Sequence, residues 1–355
     1  MQDQHTIMPL GKLDNPQDLP LVPHDMAFPS AMAALSRFLG VQHVSSLHAH
    51  GHSWLSDIDL FYYMGLSAEA FGLFFDLSHN IMISNLFSSQ PLWDCFAFLG
   101  RGLQLYGGAD IPMAEYPLGD AHNMCSLVAR HIENGIPALV FTREDHMLLA
   151  IGYKEQGSTL QAWVFRDGAD HTNKSFDADI CPWVENWTDS VTAIVLVGKP
   201  AKNAQEPLLR RALERALFML TTDLDKSKNA TRLYGHGPGI YREWIGYLED
   251  AGNFTGDVSH RPKIDPEIWD LAERRAWGAN FLDEVAAALQ MDVQDAVEAF
   301  NAIHDHMWEI NALCADDKAV QLQDTATRRA IINVVKQCAA QDLRAAECLR
   351  NALGQ

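Results

Sequence analysis

His146 and Asp167 are the two residues of this chain best placed for proton transfer, each at the tip of a short apolar run. His146 opens the run His146-Met-Leu-Leu-Ala-Ile-Gly-Tyr153, and Leu160-Gln-Ala-Trp-Val-Phe165 is followed shortly by Asp167-Gly168. Read as antiparallel strands joined by the turn Glu155-Gln156-Gly157-Ser158, the two runs bring the start of one beside the end of the other. A carboxylate bonded to an imidazole in that way holds its tautomer and lets it serve as general base, then acid. Spacing alone leaves the plainer alternative open, that both are turn residues.

Other reactive side chains form weaker patterns. His48, His50 and His52 alternate as ligands on one strand face would, and imidazole suits zinc, copper or nickel. No carboxylate or cysteine follows at ligand spacing, so a polar loop is expected and no metal. His304-Asp305-His306 with Glu309 has one helical i, i+3 match, His306 to Glu309, and reads as a solvated face or pocket rim. The six cysteines (Cys95, Cys125, Cys181, Cys314, Cys338 and Cys348) contain no CxxC pair, which disfavours a disulfide framework or a cysteine-rich zinc site. Cys95 and Cys125 are alternative nucleophiles, but each lies in apolar, helix-like sequence and is expected to pack in the core.

The elements that must position these groups follow from period and punctuation. Residues 1–26 carry four prolines and read as an extended lead-in. Pro29 to Gly40 reads as a central, buried helix, with proline in its first turn, small residues in its body and glycine at its close. Residues 41–120 read as short helices and loops, and the aromatic stretch 54–75 as a pocket wall. An amphipathic helix is expected from Asn123 to Asn134. The period then shortens: 137–141, 146–153, 160–165 and 192–197 read as strands of one antiparallel sheet. After a polar stretch at 199–204, helical period returns over 206–221, 239–250, 266–289, 292–315 and 320–352. The expected domains are therefore 1–200, α+β, and 201–355, helical and covering the cleft.

Bulk composition narrows the partners. With 27 Lys and Arg against 46 Asp and Glu the formal charge is −19, which disfavours nucleic acid. An acidic carrier protein would need a local basic dock, such as Arg210-Arg211 or Arg274-Arg275. No apolar run approaches the ~20 residues needed to span a bilayer, and Met1-Gln2-Asp3-Gln4-His5 lacks signal-peptide character. A cytoplasmic protein without a membrane partner is expected; oligomerisation with a second copy is left open.

Ala27-Phe-Pro-Ser-Ala-Met-Ala-Ala-Leu-Ser-Arg-Phe-Leu-Gly40 resembles the Cys-Gly-Pro-Ala-x-Leu-Ala-type helix of bacteriocin-leader-type cysteine peptidases. The chain is more similar still to the N-terminal-domain family of butirosin biosynthesis protein H. Tyr63-Met64-Gly65-Leu66 and Phe71-Gly72-Leu73-Phe74 resemble that family's glycine-rich segment, and Asn134-Gly135-Ile136-Pro137 its G-x-P before a strand. The strands at His146 and Asp167 follow in order. Tyr234-Gly235-His236-Gly237-Pro238-Gly239 with Trp244, Arg275 through Phe281-Leu282-Asp283-Glu284-Val285-Ala286, and Trp308 with Leu313 resemble its helical tail. The likeness runs over roughly residues 20–315.

The resemblance implies a papain-like domain, a central helix against an antiparallel sheet, and an acyltransferase of natural-product biosynthesis. An acyl group would pass from a carrier-protein thioester to a small-molecule amine through a Cys-His-Asp triad. Hydrolysis or cyclisation of the same acyl-enzyme is the alternative. No cofactor is implied, since a phosphopantetheinyl arm would arrive with the substrate. A helix tip suits such a nucleophile because the helix dipole stabilises a thiolate and the backbone N–H groups face a developing oxyanion. His146 would be the base and Asp167 its orienting group. The family's cysteine, however, falls thirteen positions before Gly40, where this chain has Ala27. A methyl group cannot attack a thioester, so the chain as written is expected to be inert in covalent transfer. Ala27 is read as an inactivating substitution; the alternative is a natural pseudoenzyme that only binds. The family's cysteine is often preceded by histidine, where this chain has Met26; His24 reads as a loop residue, and Ser30, nearly a turn further on, as a poor substitute nucleophile.

Overall fold

A computed structural model describes residues 4–7, 26–41, 58–74, 90–108, 111, 113–143, 146–166, 181–202, 204–223, 234–235, 237–255, 265–314 and 321–355. The chain is α+β and divides into two compact units. Among the described residues the first holds 4–7, 26–41, 58–63 and 90–205, and the second 64–74 and 206–355.

Apolar runs build the sheet of the first unit. Strand β5 (Ala138–Thr142) is buried at every position, as its unbroken hydrophobicity requires of a strand covered on both faces. Strands β6 (His146–Lys154) and β7 (Thr159–Arg166) form the expected hairpin, its turn using left-handed Gln156 and Gly157. Strand β9 (Val191–Pro200) returns on the other side of β5. The stretch 41–120 also supplies a strand that its period did not announce, β3 (Arg101–Gly107), paired with β9. Its alternation, Leu103 and Leu105 against Gln104 and Tyr106, is short and bounded by glycines, so it is weak as a signal. The two-residue β4 (Tyr116–Pro117) runs parallel to β3, making the sheet mixed rather than wholly antiparallel. With β8 (Trp183–Glu185) the order is β4-β3-β9-β5-β6-β7-β8. Strand β1 (Gln4–Thr6) pairs with Gly152–Lys154 of β6, in the part of 1–26 expected to be extended.

Helix α1 (Ala27–Phe38) packs on β6 and β7. It starts two residues earlier than its proline suggested, and Pro29 stands third, still within the first turn, where the missing N–H has no intrahelical acceptor to lose. Its end is closed by left-handed Gly40, whose N–H bonds Arg37 O while Val41 N–H bonds Ser36 O. Phe38 meets Trp163 of β7 edge to face, centroids 6.3 Å apart. A second helix from 41–120, α2 (Ile58–Leu66), gives Asp59 to Arg37 at 3.2 Å and Tyr62 and Tyr63 to Phe98 of α3 (Pro91–Phe98). Helix α4 (Ala121–Glu133) is capped by Asp120, which accepts from Asn123 N–H at 2.8 Å, and packs on β5 and β6. Tyr153 of β6 donates to its Glu133 at 2.6 Å. In the ladder Tyr153 pairs with Leu160, three residues from Trp163 on β7. Rows three apart face opposite ways, so α1 and α4 cover opposite faces of the sheet.

The second unit bears out the helical period: α5 (Gln205–Thr221), α6 (Pro238–Glu249), α7 (Asp265–Leu289), α8 (Gln294–Leu313) and α9 (Thr325–Leu353). Residues 64–74 join them. Phe281 of α7 lies against Gly65, where an added Cβ would overlap the ring, and β2 (Leu73–Phe74) pairs with β10 (Tyr234–Gly235). The anchor is a pair of arginines. Arg275 is 1% exposed and grips Asp342 of α9 through Nε at 2.8 Å and an Nη at 2.6 Å, while its other Nη reaches the carbonyls of Ala70 and Gly72. Tyr241 of α6 donates to the same carboxylate at 2.7 Å. Arg274 bonds Asp270 and the Glu69 carbonyl. This corrects the sequence expectation for Arg274-Arg275: they are buried ion-pair partners, with no charge to offer a docking surface. Arg210 and Arg211 remain exposed.

No helix among the described residues is long and apolar enough to cross a membrane.

Removing one partner of a buried ion pair strands the other charge, at a cost of about 3–5 kcal/mol. Asp342→Ala is therefore expected to lower the urea midpoint of the second unit strongly. Tyr241→Phe, which removes one hydrogen bond, is expected to cost about 1 kcal/mol. Equal midpoints for the two variants in urea titrations would contradict this account of the anchor.

Candidate functional site

Ala27 is the first residue of α1 and is 5% exposed, at the rim of the core. Met26 stands at the N-cap, and its own side chain makes no cap hydrogen bond. The rest of the helix is buried apart from Arg37. Ser30 has no exposed surface, and its Oγ has no hydrogen-bond partner among the described residues. A buried hydroxyl in that state costs about 1–3 kcal/mol.

His146 is the first residue of β6 and its Cα pairs with Arg166, the last residue of β7. Asp167 follows Arg166 directly in the sequence but lies outside the described residues, as do His24, His48, His50 and His52. The ladder thus reaches to one residue short of the expected partner. Its register also sets His146 in the row of Leu148 and Ala150, because Arg166 is three residues from Trp163. Phe38 of α1 meets the alternate row, that of Leu149 and Trp163.

Burial pushes the thiols of Cys125, Cys338 and Cys348 up, opposite to the direction an activated nucleophile requires. Cys95 is fully buried in α3. His306 Nδ1 lies 3.3 Å from Glu309, and Trp308 donates to His304 Nε2 at 2.9 Å, so this helix face is internally bonded. Among the described residues no group of His, Cys, Asp and Glu could hold a metal ion.

Two features escaped the sequence-based expectations. One is that the Ser30 hydroxyl, read there only as a poor substitute nucleophile, is buried without a hydrogen bond. The other is His131 in the last turn of α4, whose Nε2 is buried without a partner among the described residues. Burial lowers its pKa from 6.5 to about 4, against the smaller opposing effect of the Pro137 carbonyl. Neither carries a sequence signal, since burial depends on what packs around the residue.

No protein-family model, curated protein or solved structure matches the chain.

His131 makes stability depend on acid. Between about pH 4 and 6.5 the unfolded chain holds this proton and the folded chain does not, so stability rises with pH there and falls as pH drops through that window. The full effect is up to roughly 3 kcal/mol, from 1.36 kcal/mol per pKa unit. Urea midpoints of the His131→Gln protein are expected to vary less across pH 4–6.5 than those of the parent; an unchanged slope would show that other groups govern acid unfolding.

Proposed function

We propose that the sheet-bearing unit is a papain-like acyl-transfer scaffold of the butirosin biosynthesis protein H type. Position 27 stands in the nucleophile's place, His146 is the general base and Asp167 the group that orients it. The donor would be a carrier-protein thioester and the acceptor a small-molecule amine. With Ala27 in place the chain binds the thioester without attacking it. One observation carries this reading: Ala27 is the first residue of a buried helix that packs on the strand His146 opens. A thiol there would sit at the positive end of a helix dipole, which favours its ionised form. The reading requires the first residue of β6 to leave the regular pleat toward α1, and β5 pairing ends at Met147, one residue short of it.

The register favours a second reading. If His146 keeps the row of Leu148, no base stands over position 27, and the unit is a binding module that never performed covalent transfer.

Ala27→Cys separates the two. Incubated with a short acyl-pantetheine thioester, the variant is expected to gain the acyl mass in intact-protein spectra. Its iodoacetamide reactivity is expected to titrate below about pH 7, against ~8.5 for an ordinary thiol. Adding His146→Ala should slow acylation by roughly 10²–10⁴-fold. No adduct, or an adduct whose rate ignores His146, would remove the acyl-transfer reading. If an adduct forms, its release rate with and without added amines tells transfer from hydrolysis.

A further inference from the structure

Strand β6 is paired with β7 along its whole length, from His146 to Lys154. On its other edge, pairing with β5 reaches only as far as Ala150. Beyond that point the chain closes the edge with its own residues 4–7, and among the described residues no other strand pairs there. Without them Gly152–Lys154 would be an open sheet edge. Such an edge accepts an extended segment, whose main-chain bonds supply affinity while its side chains supply the choice.

The fit of the present occupant is specific. Gln4, His5 and Thr6 pair with Lys154, Tyr153 and Gly152, and Ile7 N–H donates to Ile151 O at 2.9 Å. Gly152 makes room for the segment, since an added Cβ would overlap the Thr6 hydroxyl and the His5 carbonyl. That hydroxyl donates to Gln161 Oε1 of β7 at 2.9 Å. The His5 ring lies 6.1 Å from that of Tyr153, whose own hydroxyl is bonded to Glu133 of α4. Ile7 is two residues on from His5, hence on the same side of the strand, and is buried. Strand β1 also packs on α4.

The hold is nonetheless slight. One buried isoleucine and a short ladder stabilise by about as much as the ordering of four residues costs. Pro9, without an N–H, cannot extend the ladder. A segment of this kind opens far more readily than the core strands. A second copy brings the same four residues, which make the same bonds in the same place, so exchange needs no new contact. Residues 8–25 separate Ile7 from Met26 at the N-cap of α1, and a stretch of that length can reach up to about 60 Å.

We propose that Gly152–Lys154 of β6, with the adjoining part of α4, is a strand-acceptor site whose partner is a second copy of this chain, donating residues 4–7. In an isolated copy the site is filled in cis; in a pair the two copies exchange their first strands, and each fills the other's site. Nothing in this site depends on the acyl-transfer reading.

Gln4 is exposed and lies directly opposite Lys154, close enough for a disulfide between the two positions. A full-length chain with Gln4→Cys is mixed at high concentration, in a glutathione buffer, with a full-length chain carrying Lys154→Cys. Two copies joined through positions 4 and 154 are expected, located by peptide mass after digestion, with a yield that rises with concentration. Excess synthetic peptide of residues 2–8 should lower that yield by about 10-fold or more, as should Ile7→Asp in the first chain. Lys154 is replaced as the acceptor by Asn333→Cys, exposed on α9, to measure random collision. A yield no higher than with this control, or one that neither the peptide nor Ile7→Asp lowers, would overturn the proposal. So would binding of the labelled peptide by the Ile7→Asp chain without any link between copies, which would assign the site to another protein. Hydrogen exchange on the unaltered chain adds a measure free of any variant. The Ile7 amide is expected to be at least about 100-fold less protected than that of Leu149 in the middle of the sheet; equal protection would show that the strand does not detach, and would end the exchange.

Discussion

Eleven of the twelve residues of α1 are buried, so packing along nearly its whole length, rather than any one contact, holds it on β6 and β7. The same burial dictates how the helix ends. Its last carbonyls are taken up by the turn at left-handed Gly40, since open carbonyls inside a core would be costly. At the other end, Pro29 reduces by one the number of N–H groups needing partners, and Met26 adds no side-chain cap. Position 27 therefore stands at the tip of a rigid rod whose placement is decided by packing along its whole length. Whatever chemistry position 27 has, it does not depend on a flexible loop.

The second unit meets a different constraint, a charge buried in place of a small apolar contact. The carbonyls of Glu69, Ala70 and Gly72 have the guanidinium groups of Arg274 and Arg275 as partners. Those cations would be costly to bury alone. Asp342 balances Arg275 with two parallel hydrogen bonds, and Asp270 and Glu69 flank Arg274. The result ties α6, α7 and α9 to a segment some two hundred residues earlier in the chain. The family-like pattern around Arg275 and Phe281 thus has a packing explanation of its own. Phe281 lies where Gly65 has no side chain, and Arg275 bonds what surrounds it.

Much of the element order was legible, for a physical reason. Strands buried on both faces must be apolar throughout, and 137–141 and 192–197 are. Amphipathic helices must repeat near 3.6 residues, and α5 through α9 do. Strand β3 escaped because its alternation spans only a few residues between glycines. The docking role expected of Arg274-Arg275 failed because an arginine pair reads as surface charge unless its carboxylate partner is known, and Asp342 is distant in sequence.

Local period, punctuation and side-chain chemistry in the sequence alone placed His146 at the start of a strand and a small-residue helix from Pro29 to Gly40. Those features are set by residues close together along the chain. Tertiary structure decided the rest: which face of the sheet α1 covers, the pairing of His146 with Arg166, the isolation of the Ser30 hydroxyl, and the assignment of residues 64–74 to the second unit. Each of these depends on contacts between distant segments, where burial and register arise only once the partners have met.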